Sequence, residues 1–264
     1  MAGAVLVLQH DDGCPPARLG RVLDAAGLPW ELVALDRGDR LPGLGPWRGI
    51  VSLGGRMGAY DTAEFPFLAA EARLLAEADR AGVPVLGLCL GGQLLAAALG
   101  GRAHLGPRPE IGYRPVRLTA AGRADPVLRH LDGPVLSWHQ DTFELPPGAE
   151  LLASSDAYPH AFRRGASVGL QFHPEGRPGR PRDLAGRRRA GRRAGLGWRP
   201  GRPGGQRGRR RRGDRPGGDA RAGRLGRDAP LPAGQPLNVA QPAPGRARMP
   251  DWGDTTGQAR RRQP

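Results

Sequence analysis

Two short patterns hold the residues whose types and spacing can do covalent chemistry. Cys89 lies between Gly87 and Gly91, and His173 is followed two residues later by Glu175. The first is a G-x-C-x-G pattern between an apolar run, Val83 to Leu88, and a helical pattern that begins at about Gly92. That is the strand–nucleophile–helix turn, a thiol relative of the G-x-S-x-G elbow. Small neighbours let the backbone crowd against the nucleophile. The helix N-terminus behind Cys89 is the end that favours negative charge. Backbone N–H groups at such a turn can hold an oxyanion. In the second pattern, Pro174 keeps His173 out of helical space, and in an extended chain residues i and i+2 face the same side. An imidazole and a carboxylate therefore leave the end of a strand together. That suits a base (His173), oriented by an acid (Glu175), serving a thiol nucleophile (Cys89). Taken singly, each pattern also fits an ordinary strand–helix corner or a surface histidine beside a glutamate; it is their joint occurrence that points to a triad. An α/β-hydrolase would place its acid well before the histidine, whereas here the acid follows it.

The elements that must position these groups are readable as an alternation. Ala4 to Gln9 is a short buried strand, and Leu19, Val22 and Leu23 mark a helix face over about 17–26, closed by Gly27. Glu31 to Leu35 and Gly49 to Leu53 read as strands, the latter running into Gly54-Gly55. A helix over about 67–81, the Val83–Leu88 strand, the Cys89 turn and a helix to Leu99 follow. This is the grammar of an α/β fold, a mostly parallel central sheet with helices on both faces. Ligands of such sheets bind beyond the C-terminal strand ends, where both Gly54-Gly55 and Cys89 fall. After Gly100-Gly101 the pattern changes. A strand is expected from Arg114 to Leu118, a short helix from Ala124 to Leu131, and a strand from Pro134 to Trp138 that ends at His139-Gln140-Asp141. Short strands at 151–154 and 161–162 lead to a last one, Val168 to Phe172, which delivers His173.

Cys14 reads as a loop or helix-start residue. Two cysteines make no disulfide framework, no C-x-x-C metal pair is present, and a reactive thiol suits a reducing cytoplasm. The first apolar run is short and soon followed by Asp11-Asp12, unlike a signal peptide, and no stretch reaches the ~20 apolar residues of a membrane span.

With these residues in place, the chain resembles the class I glutamine amidotransferases, whose glutaminase domain carries a Cys-His-Glu triad. The matching pieces are Gly87-Leu-Cys-Leu-Gly-Gly-Gln93, Ser52-Leu-Gly-Gly55, Trp138-His-Gln-Asp141 and Gly169-Leu-Gln-Phe-His-Pro-Glu175, in the family's order. It looks most like stand-alone members similar to the glutaminase domain of GMP synthase. The resemblance implies a flavodoxin-like fold over 1–175 and a glutaminase reaction through a γ-glutamyl thioester. It makes Cys89 the nucleophile, His173 the base and Glu175 its orienting acid. It puts the N–H groups of Gly55 and Leu90 in the oxyanion hole, and Gly54, Gln93, His139 and Asp141 around the bound glutamine. Glu110 is a further candidate to face the site. No metal or organic cofactor is implied, and the ammonia acceptor would belong to a partner synthetase. Two other readings compete: a γ-glutamyl hydrolase with the same triad, acting on γ-glutamyl amides or peptides, and a catalytically silent protein whose tail binds nucleic acid.

That tail is set apart by charge. Of the 40 basic residues, all arginine, 16 lie in 1–175 beside 19 acidic ones, and 24 lie in 176–264 beside 6. A mildly acidic domain is thus followed by a strongly basic segment without hydrophobic periodicity, expected to be disordered. The abrupt break at 176 favours a C-terminus read in a shifted frame of a GC-rich gene. A neutral tail and an arginine-rich arm for nucleic acid are the alternatives.

Overall fold

A computed structural model of the chain describes residues 3–176. The expected tail, with its disorder, its reading frame and its nucleic-acid arm, therefore lies outside the described residues. The elements run β1 (Val5–Gln9), α1 (Ala17–Ala25), β2 (Trp30–Ala34), β3 (Gly49–Ser52), α2 (Phe67–Arg80), β4 (Val85–Leu88) and α3 (Leu90–Ala98). They continue with β5 (Arg102–Arg114), β6 (Arg117–Leu118), α4 (Ala120–Ala124), β7 (Val135–Glu144), β8 (Glu150–Ser154), β9 (Pro159–Arg164) and β10 (Ser167–Leu170).

Eight strands form the main sheet in the order β2-β1-β3-β4-β10-β9-β8-β6. The first five are mutually parallel, and β9, β8 and β6 continue the sheet antiparallel. The sheet is covered on both faces, as the pleat of β1 shows. Leu6 and Leu8 pack with Leu68, Leu75, Leu90 and Leu94 of α2 and α3. Val5 and Val7 point the other way, toward Leu23 of α1. Parallel strands buried on both faces read as continuous apolar runs, which is why these were visible in the sequence. Helix α3 is apolar around its circumference, and all its residues but the last are buried. None of the helices among the described residues is long and apolar enough to cross a membrane.

The region after Gly101 departs from the sequence expectation. β5 and β7 pair antiparallel as a separate two-stranded sheet, with an irregularity between Leu105 and Glu110. The expected strand at Arg114–Leu118 is broken at Pro115, which has no N–H to give a ladder: Arg114 ends β5 and Arg117–Leu118 pairs separately as β6. The expected helix at 124–131 is displaced. Thr119 Oγ1 accepts from the Gly122 N–H and starts α4 at Ala120. Asp125, which precedes a proline, is extended and ends it. A 3₁₀ turn at Leu128–His130 follows. Strand β7 runs through to Glu144, so His139 and Asp141 are alternate residues of one strand.

Candidate active site

β4 and β10 are adjacent and parallel, with Leu88 beside Leu170. The segments that leave their C-terminal ends carry Cys89 and His173. Cys89 is the residue immediately before α3, with φ 50° and ψ −105°. A non-glycine residue at that φ is held there by its surroundings. Here the Cys89 N–H donates to Leu170 O (2.8 Å) and the Gly91 N–H to Leu53 O (3.1 Å). Leu90, as the first helical residue, has an N–H without an intrahelical partner.

His173 is buried, and its backbone N–H donates to Leu136 O of β7 (2.9 Å). Its Nδ1 lies 2.7 Å from Glu175 Oε1, with both side chains 2% exposed. A carboxylate only accepts, so Nδ1 carries the hydrogen and Nε2 is left as the acceptor. That Nε2 is buried and makes no hydrogen bond within the described residues. Burial pulls the imidazole's pKa down, but the charges of Glu175 and then Cys89 outweigh it and raise the group well above its ordinary 6.5. Cys89, His173 and Glu175 are thus in one buried electrostatic cluster.

Two glycines close the other side. A side-chain carbon on Gly54 would come within 3.1 Å of His173 Cε1 and 3.4 Å of Cys14 Sγ. One on Gly55 would come within 2.8 Å of Leu90 Cδ2. Gly54 is therefore packed on His173, and Gly55 on the residue after Cys89. Gln93, His139 and Asp141 meet behind the cysteine. Gln93 Nε2 donates to the Asp141 carbonyl (2.9 Å), His139 Nδ1 lies 3.0 Å from the same oxygen, and Tyr60 Oη donates to Asp141 Oδ1 (2.9 Å). Gln171 links this group to the thiol, with its Nε2 3.8 Å from Cys89 Sγ and its Oε1 3.4 Å from Gln93 Nε2. Glu110 pairs with His160 at 2.7 Å and stands 3.4 Å from His139 Nε2.

Sequence reading missed several of these groups. Cys14 is buried against Gly54, and burial, then the charge of Cys89, pushes its thiol well above the ordinary range. His10 and Glu71 were also missed. Glu71 Oε2 is 2.6 Å from His10 Nε2, Ser52 Oγ donates to Glu71 Oε1 (2.6 Å), and His10 Nδ1 is 3.3 Å from Gly54 O. One buried acid of α2 thus ties the ends of β1 and β3 to the glycine loop. The available signal was the placement of Glu71 at i+3 from Leu68 and i−4 from Leu75, on the apolar face of its helix.

Burial lowers the His10 pKa and Glu71 raises it, and the net shift is upward from 6.5. A group raised on folding stabilises fully below its unfolded pKa and loses that contribution as pH rises through its folded value. Urea unfolding is therefore expected to show stability falling on the alkaline side, with a shallower fall in Glu71→Gln. Removing the acid altogether in Glu71→Ala is expected to cost about 3–5 kcal/mol at pH 6, as for other broken buried ion pairs. An unchanged unfolding midpoint in that variant would refute the assignment.

Known proteins share both the sequence patterns and the architecture. The family model for glutamine amidotransferase class-I matches residues 48–184. A putative glutamine amidotransferase-like protein, YfeJ of Salmonella typhimurium, is 36% identical over 110 residues, 40% of this chain and 46% of that protein. The GMP synthase [glutamine-hydrolyzing] of Thermomicrobium roseum is 38% identical over 134 residues, 48% of this chain and 23% of that one. The chain thus spans less than half the length of these two relatives. A crystal structure of a glutamine amido transferase from Methylobacillus flagellatus superposes with a TM-score of 0.63 at 31% identity, covering 67% of this chain and 72% of that one. A glutamine amidotransferase from Thermotoga maritima gives 0.61 at 32%, covering 66% and 77%. The family model covers just over half of the 264 residues and the solved relatives share the mostly parallel α/β architecture, so the chain belongs to the class I glutamine amidotransferase family.

Proposed function

We propose that the chain hydrolyses the side-chain amide of glutamine and supplies the ammonia to a partner synthetase. The observation that carries this reading is the placement of Cys89, on a strained turn before α3, beside a buried His173 that is already hydrogen-bonded to Glu175. His173 Nε2 holds the proton drawn from the Cys89 thiol, the thiolate attacks the amide carbon, and Glu175 stabilises the imidazolium. The N–H groups of Gly55 and Leu90 hold the resulting oxyanion. The imidazolium then protonates the departing nitrogen, ammonia leaves, and a γ-glutamyl thioester remains on Cys89. Water attacks that carbon, His173 takes its proton, and the thiol is restored as glutamate departs. Gly54, Gln93 and Asp141 form the wall for the amino-acid end of the substrate. His139 holds that wall from behind through the Asp141 carbonyl.

Glutamine-hydrolysing GMP synthases among the relatives support both the substrate and the use of ammonia by a synthetase. The test is ammonia release from glutamine by the purified chain, alone and with candidate synthetases, with γ-glutamyl amides as competing substrates. Glutamine hydrolysis, with a γ-glutamyl adduct on the Cys89 peptide in acid-quenched samples, is the expected result. Cleavage of γ-glutamyl amides but not glutamine would make the chain a γ-glutamyl hydrolase. A folded chain that cleaves neither under any of these conditions would overturn the proposal.

A further inference from the structure

The proposed reaction leaves Glu110, His139 and His160 without a chemical part, yet they form a buried cluster where three strands meet. Glu110 comes from β5, His139 from β7 and His160 from β9. One oxygen and two ring nitrogens lie within 4.8 Å of one another, and all three residues are buried. Counting hydrogens shows what the cluster lacks. His139 Nδ1 is 3.0 Å from the Asp141 carbonyl, which only accepts, so Nδ1 bears the hydrogen. In the neutral ring Nε2 is then a bare lone pair. It faces Glu110 Oε2 at 3.4 Å and makes no hydrogen bond among the described residues. His160 Nε2 stands 2.7 Å from the same oxygen, and its Nδ1 is buried without a partner among the described residues. A lone pair aimed at a carboxylate, out of reach of water, calls for a cation between them.

We propose that Glu110, His139 and His160 form a binding site for a divalent transition metal of the zinc class. Two imidazoles and a carboxylate are a donor set that such ions accept, with a fourth position left open. Ligands held at ~2.1 Å from a tetrahedral ion stand about 3.4 Å apart, which is the observed separation of His139 Nε2 and Glu110 Oε2. The His160–Glu110 pair opens by less than about 1 Å to the same spacing. Two of the three residues, Glu110 and His139, have the outer partner that a metal ligand needs. Ser155 Oγ donates to Glu110 Oε1 (2.8 Å), and the Asp141 carbonyl fixes the His139 ring with Nε2 inward. The ion would clamp the β5–β7 hairpin to the main sheet at β9, independently of whether Cys89 is a nucleophile.

The experiment uses the full chain carrying Cys89→Ala, which removes the thiol nearest His173 as a competing site. All six histidines and both cysteines lie before residue 176, so histidine or thiolate ligands cannot come from beyond it. Metal is stripped with a chelator, and the chain is titrated with Zn²⁺ against a chromophoric competitor and with Co²⁺ by visible absorption. One equivalent is expected to bind, with the d–d bands of four-coordinate Co²⁺ and no sulfur-to-cobalt band, and to raise Tm. His160→Gln, which keeps a donor toward Glu110, is expected to weaken binding by about a hundredfold or more, and Ser155→Ala by about tenfold. Glu110→Gln serves in place of His160→Gln if circular dichroism shows that variant unfolded. Binding that survives the ligand variants undiminished, or a sulfur-to-cobalt band, overturns the proposal. So does a folded parent chain that takes up no metal, which would assign the cluster a shared proton instead.

Discussion

Cys89→Ala is expected to lower glutamine hydrolysis by about four orders of magnitude or more while leaving glutamine binding in place, because the variant loses the proposed attacking atom and none of the proposed binding groups. His173→Gln should fall by a similar factor, since a thiol without its base is a weak nucleophile at neutral pH. The two losses should not add: groups that act as one unit leave the same residual activity whether one or both are removed. Steady-state ammonia release from the two single variants and the double variant tests this directly. A double variant far below both singles would mean that the two groups do not act in the same step. Stability should respond differently. At φ 50° an alanine is as strained as the cysteine it replaces, whereas glycine is at ease there. Cys89→Gly should therefore be inactive like Cys89→Ala, yet more stable than it by about 1 kcal/mol or more in urea unfolding. Equal stabilities would show that the turn stores no strain.

Gly91→Ala should be among the most disruptive single methyl additions in the described part of the chain. Its new carbon would stand 2.1 Å from Ser52 O and 2.5 Å from Ser52 Oγ. The nearer obstacle is backbone, so no rotamer change relieves it; α3 must move away from β3, carrying Leu90 and the Cys89 turn with it. A cost of about 3 kcal/mol or more is expected, at the upper end for overpacking. Activity should fall even in the fraction that remains folded. Gly43→Ala is the control. No atom of the described residues lies within 4 Å of the added carbon, and the change should stay within about 0.5 kcal/mol. Unfolding midpoints and ammonia release per folded molecule separate the two effects. A Gly91→Ala chain as stable and active as its parent would contradict the close approach of α3 to β3.

What could be read from the sequence follows from where the information sits along the chain. β1, β3 and β4 are short apolar runs followed closely by His10-Asp11, Gly54-Gly55 and Cys89, so parallel strands, buried on both faces, are visible locally. The order of strands, helices and the two chemical patterns therefore pointed to the fold. The G-x-C-x-G and His-Pro-Glu patterns are likewise local, because a tight turn and an extended tripeptide impose residue types on immediate neighbours. β5 was not legible. Gly106, Pro107 and Pro109 interrupt it, and its ladder partner β7 lies beyond an intervening helix. The buried polar pairs were hidden for a related reason. His10 meets Glu71 across 61 residues, and Glu110 meets His160 across 50. Neither partner's type constrains its own neighbours, so only the fold brings them together.

Cys89 and His173 leave neighbouring parallel strands at one end, with Leu88 level with Leu170. The two segments therefore leave the sheet from strands one rung apart, about 4.8 Å. Everything from Gly100 to Ala166, including the β5–β7 hairpin and the antiparallel edge, is an excursion that starts from one side of that rung and returns to the other. The excursion reaches back to this end of the sheet at a few points, such as Leu136 O of β7, which accepts from the His173 N–H, while the β4–β10 ladder is made by residues outside it. The fold thus separates two kinds of heritable change. On the proposed mechanism, variation in the excursion would alter what is admitted to the site, while the backbone ladder of β4 and β10 keeps the strands that carry the two proposed reacting groups side by side.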